Sequence, residues 1–183
     1  MTLNEEKNEF SALAASRRST RAFTDREIPA GVIDAILADA ATAPSWSNTR
    51  AFRVAIASGA RAQRLRERFG KLFDEEIEAH ARKVIDPDVE IPVPDGDYPV
   101  RKRYPDELLP AQIEVAKLLY GTYGVERADI EGRNRVNRRN VMAFEAPVMG
   151  FVFVHKDMLP WSAMDAGLML QTLFLSAKSR GID

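Results

Sequence analysis

Proline is concentrated in one part of this chain, and this limits where regular structure can form. Six of the ten prolines lie between Asp86 and Pro110. Because proline lacks a backbone N–H and its ring clashes inside a helix, the sequence predicts a long irregular segment at 85–110. A loop of this length inside a compact domain usually serves as a lid, an arm or a binding element. We therefore expect a single domain, 1–183, that carries this loop.

Regular elements are predicted on both sides of this loop from the periodicity of apolar residues. The alternating run Phe52–Ser58 indicates a strand that Gly59 ends. The nearly continuous apolar run Pro147–His155 indicates a second strand, buried on both faces. Helical spacing predicts six helices, the last of them central and covered on several sides. These lie at Glu5–Ser16, between Ile28 and Pro44, and at Arg61–Val84, Ala111–Tyr120, Arg133–Phe144 and Trp161–Arg180.

Composition excludes several classes of protein. With 26 Lys and Arg against 27 Asp and Glu, the chain lacks the basic excess that nucleic acids or anionic membranes attract, so we expect neither partner. The absence of cysteine excludes disulfides and thiolate chemistry, and two distant histidines argue against a metal site. The polar N-terminus does not resemble a signal peptide, and no apolar run approaches the roughly 20 residues of a membrane span. We expect a cytoplasmic protein.

The first candidate site is a basic cluster between the first two predicted helices. Residues 16–21 contain three guanidinium groups and several hydroxyls. An arginine guanidinium can donate two parallel hydrogen bonds to two oxygens of one phosphate. The cluster is therefore suited to a phosphate or another anionic group. The alternative is a basic helix C-terminus that complements the helix dipole. The candidate residues are Arg17, Arg18, Ser19 and Arg21.

The second candidate site lies between the second predicted helix and the first predicted strand. Small hydroxyl and amide side chains surround Trp46 there, and they could bind the polar edge of a heterocycle while the indole stacks on a ring. The alternative is a turn with an exposed tryptophan, because these residue types are common in turns. The candidate residues are Pro44, Ser45, Ser47 and Asn48.

Together these two segments resemble a known family. The run RRSTRAF, then a helix opened by Pro29, then APSWSNTRAFRVAIA is similar to the R-x-S-x-R and A-P-S-x-x-N motifs of FMN-dependent nitroreductases. The segment from Tyr104 to Asn140 is similar to bacterial enzymes that act on nitroaromatics with NADPH or NADH. The resemblance implies an α+β fold of three layers, with a mostly antiparallel central sheet flanked by helices, in a homodimer.

The resemblance also implies roles for the residues of both motifs. In such proteins the first motif holds the phosphate, the ribityl chain and the pyrimidine edge of FMN, which corresponds here to Arg17, Ser19 and Arg21, with Arg18 contributing. The second motif is normally donated by the other subunit, so FMN would lie at the dimer interface. That role would fall to Pro44, Ser45, Ser47 and Asn48. A cationic group near the flavin favours its reduction, because reduced flavin carries negative charge.

The implied reaction takes hydride from NAD(P)H and passes it through FMN to a small nitroaromatic or quinone-like acceptor. The flavin carries this chemistry, so no catalytic side chain is assigned. Trp46 and Tyr104 are the aromatic candidates for shaping the substrate pocket. Dehalogenases and flavin-fragmenting enzymes share the fold, and fold alone does not separate these reactions.

One feature departs from the family pattern. That pattern usually continues beyond Asp183 into a glycine-rich turn that contacts the flavin, a further strand and a late basic residue. The sequence therefore leaves an alternative open, in which the chain is a truncated, non-catalytic or weakly flavin-binding relative that acts as a binding or interaction protein.

Three other features carry expectations. The arginine-rich run that begins at Arg133 and ends at Arg139 is expected to be a solvated helix face, or to pair with the acidic loop. Asp165 stands in an apolar helix, and we expect it to cap the turn after Pro160 or to face the cofactor. Trp161, Met164 and Met169 are expected to pack in the core.

Overall fold

The computed structural model describes residues 8–91 and 104–183. They divide into two compact units. The first comprises the described residues up to Ala62 together with Ala146–Asp183, and the second comprises the described residues within Gln63–Glu145. The expectation of a single domain stays a prediction. Of the predicted 85–110 loop, residues 92–103 lie outside the described residues, and 85–91 and 104–108 contain no helix or strand.

The helices begin and end close to where the sequence predicts. Helix α1 starts after Asn8, whose side-chain oxygen accepts the backbone N–H of Ser11 at 2.8 Å. Helix α2 starts after Pro29, because the fixed φ of proline suits a helix entrance. Helix α4 starts before Pro110, not after it, since the first helical turn tolerates proline. The described helices are α1 Glu9–Ser16, α2 Ala30–Ala40, α3 Gly59–Lys83, α4 Leu109–Thr122, α5 Ile130–Val141 and α6 Trp161–Ser179.

Two strands in the first unit form an antiparallel sheet. Strand β1 (Phe52–Ser58) pairs with β2 (Val148–Val154), with Phe52 opposite Val154 and Ser58 opposite Val148. Both strand predictions are confirmed to within one residue. The expectation that the second strand is buried on both faces is wrong, because Phe153 is 59% exposed whereas Val152 packs on the core. Side chains alternate across a strand, so Met149 shares the face of Phe153. Met149 is buried, so this face is covered near the start of β2 and exposed near its end.

The core of the first unit forms where α2 and α6 meet the sheet. Ala40, Ala43 and Met169 are its buried members, and Met169 is only 2% exposed. The small side chains of Ala40 on α2 and of Ala43 just after it let this part of the chain approach α6 closely. Phe52, Val54, Val152, Leu170 and Leu173 pack against these three residues.

Helix α6 is less covered than its composition suggests. Met169 confirms the predicted core position, but Met164 is exposed and Trp161 is 42% exposed, so the core expectation for these two is wrong. The contacts of α6 with α2 and the strands occupy one side of the helix, which leaves part of its apolar circumference uncovered among the described residues. Within these ranges, none of the helices combines the length and apolarity needed to cross a bilayer.

A polar contact joins α2 to α6 beside this core. The hydroxyl of Ser176 donates to Asp39 Oδ2 at 2.7 Å, and Arg180 Nη1 lies 3.0 Å from the same oxygen. The hydrogen bond from Ser176, with the guanidinium of Arg180, lowers the pKa of Asp39 from its ordinary value. The charged form of this carboxyl is therefore favoured in the folded protein.

In the second unit, the arginines of α5 have partners on the protein. Arg138 donates to both carboxylate oxygens of Asp74 on α3, at 2.8 and 3.0 Å, and lowers the pKa of that carboxyl. Arg135 Nη2 lies 3.8 Å from Asp129 Oδ2, and the guanidinium carbon of Arg139 lies 5.3 Å from the ring centre of Tyr123. Part of the basic run thus forms ion pairs. The partner of Arg138 is Asp74 on helix α3, whereas the sequence suggested a partner in the acidic loop.

We expect the Asp39→Asn variant to be less stable than the native chain at neutral pH. Because the folded pKa of Asp39 is lowered, its contribution is present above the ordinary value of 3.8 and is lost as the pH falls below it. The difference in the free energy of unfolding should therefore shrink on acidification. Urea unfolding of both proteins at a series of pH values measures it, and a difference that stays constant down to low pH would contradict the assignment.

We expect Gly132→Ala to destabilise the start of α5. The backbone N–H of Gly132 donates to Asp129 Oδ1 at 2.7 Å, and an added Cβ would collide with that carboxylate and with Val125. Loss of such a cap costs about 1 kcal/mol. Gly121→Ala in α4 is the matched control, because a Cβ there meets nothing within 4 Å. It should stabilise the protein by roughly 0.5 kcal/mol. Thermal unfolding compares the two, and equal shifts would refute the cap.

Candidate functional site

The first unit contains a cavity of about 470 Å³. Its wall is mostly apolar and is built by α2, both strands and α6, with Ile33, Val54 and Leu173 as examples. A volume in this range, with apolar walls and a few polar groups, is typical of small-molecule sites. The basic cluster supplies part of the polar wall through Arg17, Arg18, Ser19 and Thr20.

The backbone is extended where the chain leaves α1 and passes along the cavity. Helix α1 ends at Ser16, and Arg17 has extended backbone angles of φ −64° and ψ 130°. Arg21 does not line the cavity; its Nη1 donates to the carbonyl oxygen of Ser19 at 3.2 Å. The last turn of α1 contains no basic residue, which gives little support to the dipole interpretation.

The second predicted segment forms a tight turn with strained backbone. Ser47 and Asn48 have positive φ values of 50° and 55°, and Arg50 follows with 48°. Residues other than glycine avoid this region, so the surrounding contacts must hold it. Within the segment, the N–H of Asn48 donates to the Ser45 carbonyl at 3.0 Å, and the N–H of Arg50 donates to the Ser45 hydroxyl at 3.0 Å.

A contact from α6 also holds this turn. Both carboxylate oxygens of Asp165, which is 1% exposed, lie 3.0 and 3.1 Å from the backbone nitrogen of Trp46. The indole of Trp46 stacks on that of Trp161, with ring centres 4.5 Å apart and planes at 18°. Asp165 therefore bonds to a residue 119 positions away. The expected cap is not seen, because no side chain caps the start of α6, and the alternative that Asp165 faces the cofactor stays a prediction.

Sequence reasoning missed the pairing of Trp161 with Trp46. The spacing of Trp161 and Asp165 predicts only that both lie on one face of a helix, because residues four apart do so, and it does not identify Trp46 as their partner. One face of α6 thus contacts the main chain and the side chain of Trp46.

The structure brings the two motifs to different places in the first unit. Arg17, Arg18 and Ser19 share the cavity wall, whereas the 44–48 turn is not part of that wall. Pro44, Ser47 and Asn48 are exposed and Ser45 is half-buried. Tyr104 lies in the second unit, exposed, before α4, and its assignment to a substrate pocket stays a prediction.

Comparison with known proteins identifies the family. The sequence profile of the nitroreductase family matches residues 14–183. This chain belongs to the nitroreductase family. Among its relatives are a 4-nitrobenzoate reductase of Pseudomonas putida, 34% identical over 176 residues, and one of Nocardioides sp. (strain LMS-CY), 31% identical over 175 residues. The match covers 96% and 94% of this chain and 70% and 66% of those proteins.

Solved structures of nitroreductases have the same fold. The FMN and NADPH-dependent nitroreductase NfnB from sphigopyxis sp. strain HMH superposes with a TM-score of 0.74 at 29% identity, over 93% of this chain and 71% of that one. FMN-dependent NfnB from Mycobacterium smegmatis, solved in complex with NADPH, gives 0.75 at 26% identity, over 94% and 71%. The predicted α+β nitroreductase fold is confirmed.

Proposed function

We propose that this nitroreductase family member binds FMN and uses NAD(P)H to reduce nitroaromatic compounds. The observation that carries the proposal is the position of Arg17, Arg18 and Ser19 in the wall of one cavity. The names of the relatives support the same reaction, since they are nitrobenzoate reductases and FMN-dependent nitroreductases.

The residues present fit the chemical groups of FMN. A phosphate needs charged and neutral hydrogen-bond donors, and the lining residues Arg17, Arg18 and Ser19 carry two guanidinium groups and a hydroxyl that suit it. A planar ring system needs apolar surface, which the strand and helix side chains of the cavity provide. Bound FMN would supply the hydride chemistry, while the protein supplies binding, orientation and electrostatics.

The remaining motif residues have supporting roles in this proposal. Arg21 donates to the Ser19 carbonyl and so holds the segment that carries the phosphate-binding side chains. The exposed turn formed by Pro44, Ser45, Ser47 and Asn48 is available to a second copy of the chain, and we place it against the FMN of the partner in a homodimer. Trp46 is 49% exposed, so its indole can contact a planar aromatic substrate.

The proposed substrate class is a nitroaromatic compound, with 4-nitrobenzoate as the first probe because two relatives carry its name. Quinone-like acceptors remain a second class to assay. The proposal assigns no acid or base catalyst to the protein, because the bound flavin would carry the hydride chemistry.

Arg17→Ala should weaken FMN binding. Hydrogen bonds to charged groups contribute about 1.5–3 kcal/mol, so the dissociation constant should rise by roughly 10- to 100-fold. Titration of FMN into apoprotein, followed by quenching of flavin fluorescence, measures it. Arg26→Ala is the control, because Arg26 lies exposed in the same segment but outside the cavity wall. An Arg17 variant that retains native affinity would remove this residue from the phosphate site.

Anaerobic NADPH should bleach the visible flavin absorption of the FMN-loaded protein, and 4-nitrobenzoate should then restore it. This result is expected because hydride enters the flavin from NADPH and leaves to the acceptor. Absorption spectroscopy in an anaerobic cuvette records both steps. If the protein retains no visible flavin absorption after FMN is added and the unbound FMN is removed, the proposal is refuted and the interaction-protein alternative is favoured.

A further inference from the structure

The carboxyl group of Asp165 is buried in a helix whose neighbouring positions are mostly apolar. Its exposed fraction is 1%, and both of its oxygens lie within hydrogen-bond distance of the Trp46 nitrogen. A buried polar group without a partner is costly, so the pairing of this carboxyl is part of the folded structure. The pairing fixes residue 46 from a helix that is distant in sequence.

The contact acts at the start of a strained turn. Ser47 and Asn48, the two residues after Trp46, both have positive φ. The other hydrogen bonds of this turn run between residues 45 and 50, so they move with it. Asp165 ties the turn to the packed helix α6, and it can therefore hold a backbone conformation that local preference disfavours.

Trp161 adds a second attachment on the same helix face. Its indole stacks on the indole of Trp46, so residue 46 is held through its side chain as well as its main chain. Trp161 and Asp165 are four residues apart, so both lie on the face of α6 that contacts the turn. The chain has two tryptophans in total, and both belong to this stack.

We propose that Asp165 is a positioning residue that holds the 45–48 turn in the conformation that contacts FMN. The inference rests on the proposed function. Asp165 acts through the Trp46 N–H, and the groups it positions are the side chains of Ser45, Ser47 and Asn48. The stack on Trp161 reports whether the turn is in place.

The experiment compares Asp165→Ala, Asp165→Asn and Asp39→Asn in the full chain. The two stacked indoles give an exciton couplet in circular dichroism that depends on their mutual geometry and needs no flavin. Each variant is also titrated with FMN, and its helical signal is recorded to establish folding. Asp39→Asn is the matched control, because Asp39 also joins α6 to another element but contacts Ser176 and Arg180 near the other end of that helix.

Asp165→Ala should lose most of the couplet and bind FMN at least roughly tenfold more weakly. Asp165→Asn keeps one side-chain oxygen that can accept the Trp46 N–H, so it should retain part of the couplet and bind FMN between two- and tenfold more weakly, roughly. Asp39→Asn should have the native couplet and the native FMN affinity, although its unfolding midpoint falls. If Asp165→Ala does not fold, the comparison of Asp165→Asn with Asp39→Asn decides.

The inference is overturned if every Asp165 variant that folds keeps the native couplet or the native FMN affinity. It is also overturned if Asp39→Asn lowers the couplet and the FMN affinity as much as Asp165→Asn does. The second result would mean that loss of stability alone explains the effect. Failure of the proposed function looks different, since the native chain would then bind no FMN. In that case the couplet still decides whether Asp165 holds the turn.

Discussion

Close packing between α6 and α2 is the constraint on which the first unit depends. Ala40 on α2 and Ala43 just after it present small side chains to Met169 on α6, so the two elements approach closely. Residues of both strands pack against the same cluster. Buried apolar surface supplies the driving force, and the match of small to large side chains determines the spacing. The cavity is bordered by the same α2, α6 and strand elements, so its shape follows from this packing.

Polar contacts near both ends of α6 attach this helix to two other segments, the turn at Trp46 and helix α2. Near the start, Asp165 accepts the N–H of Trp46, and near the end, Ser176 and Arg180 bind Asp39 on α2. One helix thus combines a core position with two directional attachments. Hydrogen bonds require narrower distances and angles than apolar contacts do, so these contacts make the arrangement specific.

Much of the fold could be predicted because its signals are local. Strand β1 and the helices follow from periodicity, proline and caps within a few residues. The exposed Phe153 was not predictable from its apolar strand, because burial depends on which elements cover each face. The roles of Trp161 and Asp165 were missed for the same reason. Their partner is Trp46, more than a hundred residues away, and a single sequence carries no signal for such a contact.

Part of the candidate site could likewise be predicted from local sequence, and part depends on tertiary structure. Arg17, Arg18 and Ser19 could be singled out because arginine and hydroxyl groups in one short segment have a clear chemical use. Their position in one cavity wall, and the different position of Arg21, depend on how the chain leaves α1. Those backbone angles are set by tertiary packing, which residue types alone do not specify.

The left-handed residues after Trp46 also bear on how this segment can vary. Ser47, Asn48 and Arg50 occupy a backbone region that β-branched side chains avoid most strongly. Valine, isoleucine and threonine are therefore poor replacements at all three positions, while asparagine, aspartate and glycine fit. A mutant library aimed at new acceptors would therefore retain more folded members if it kept to the second group at these three positions.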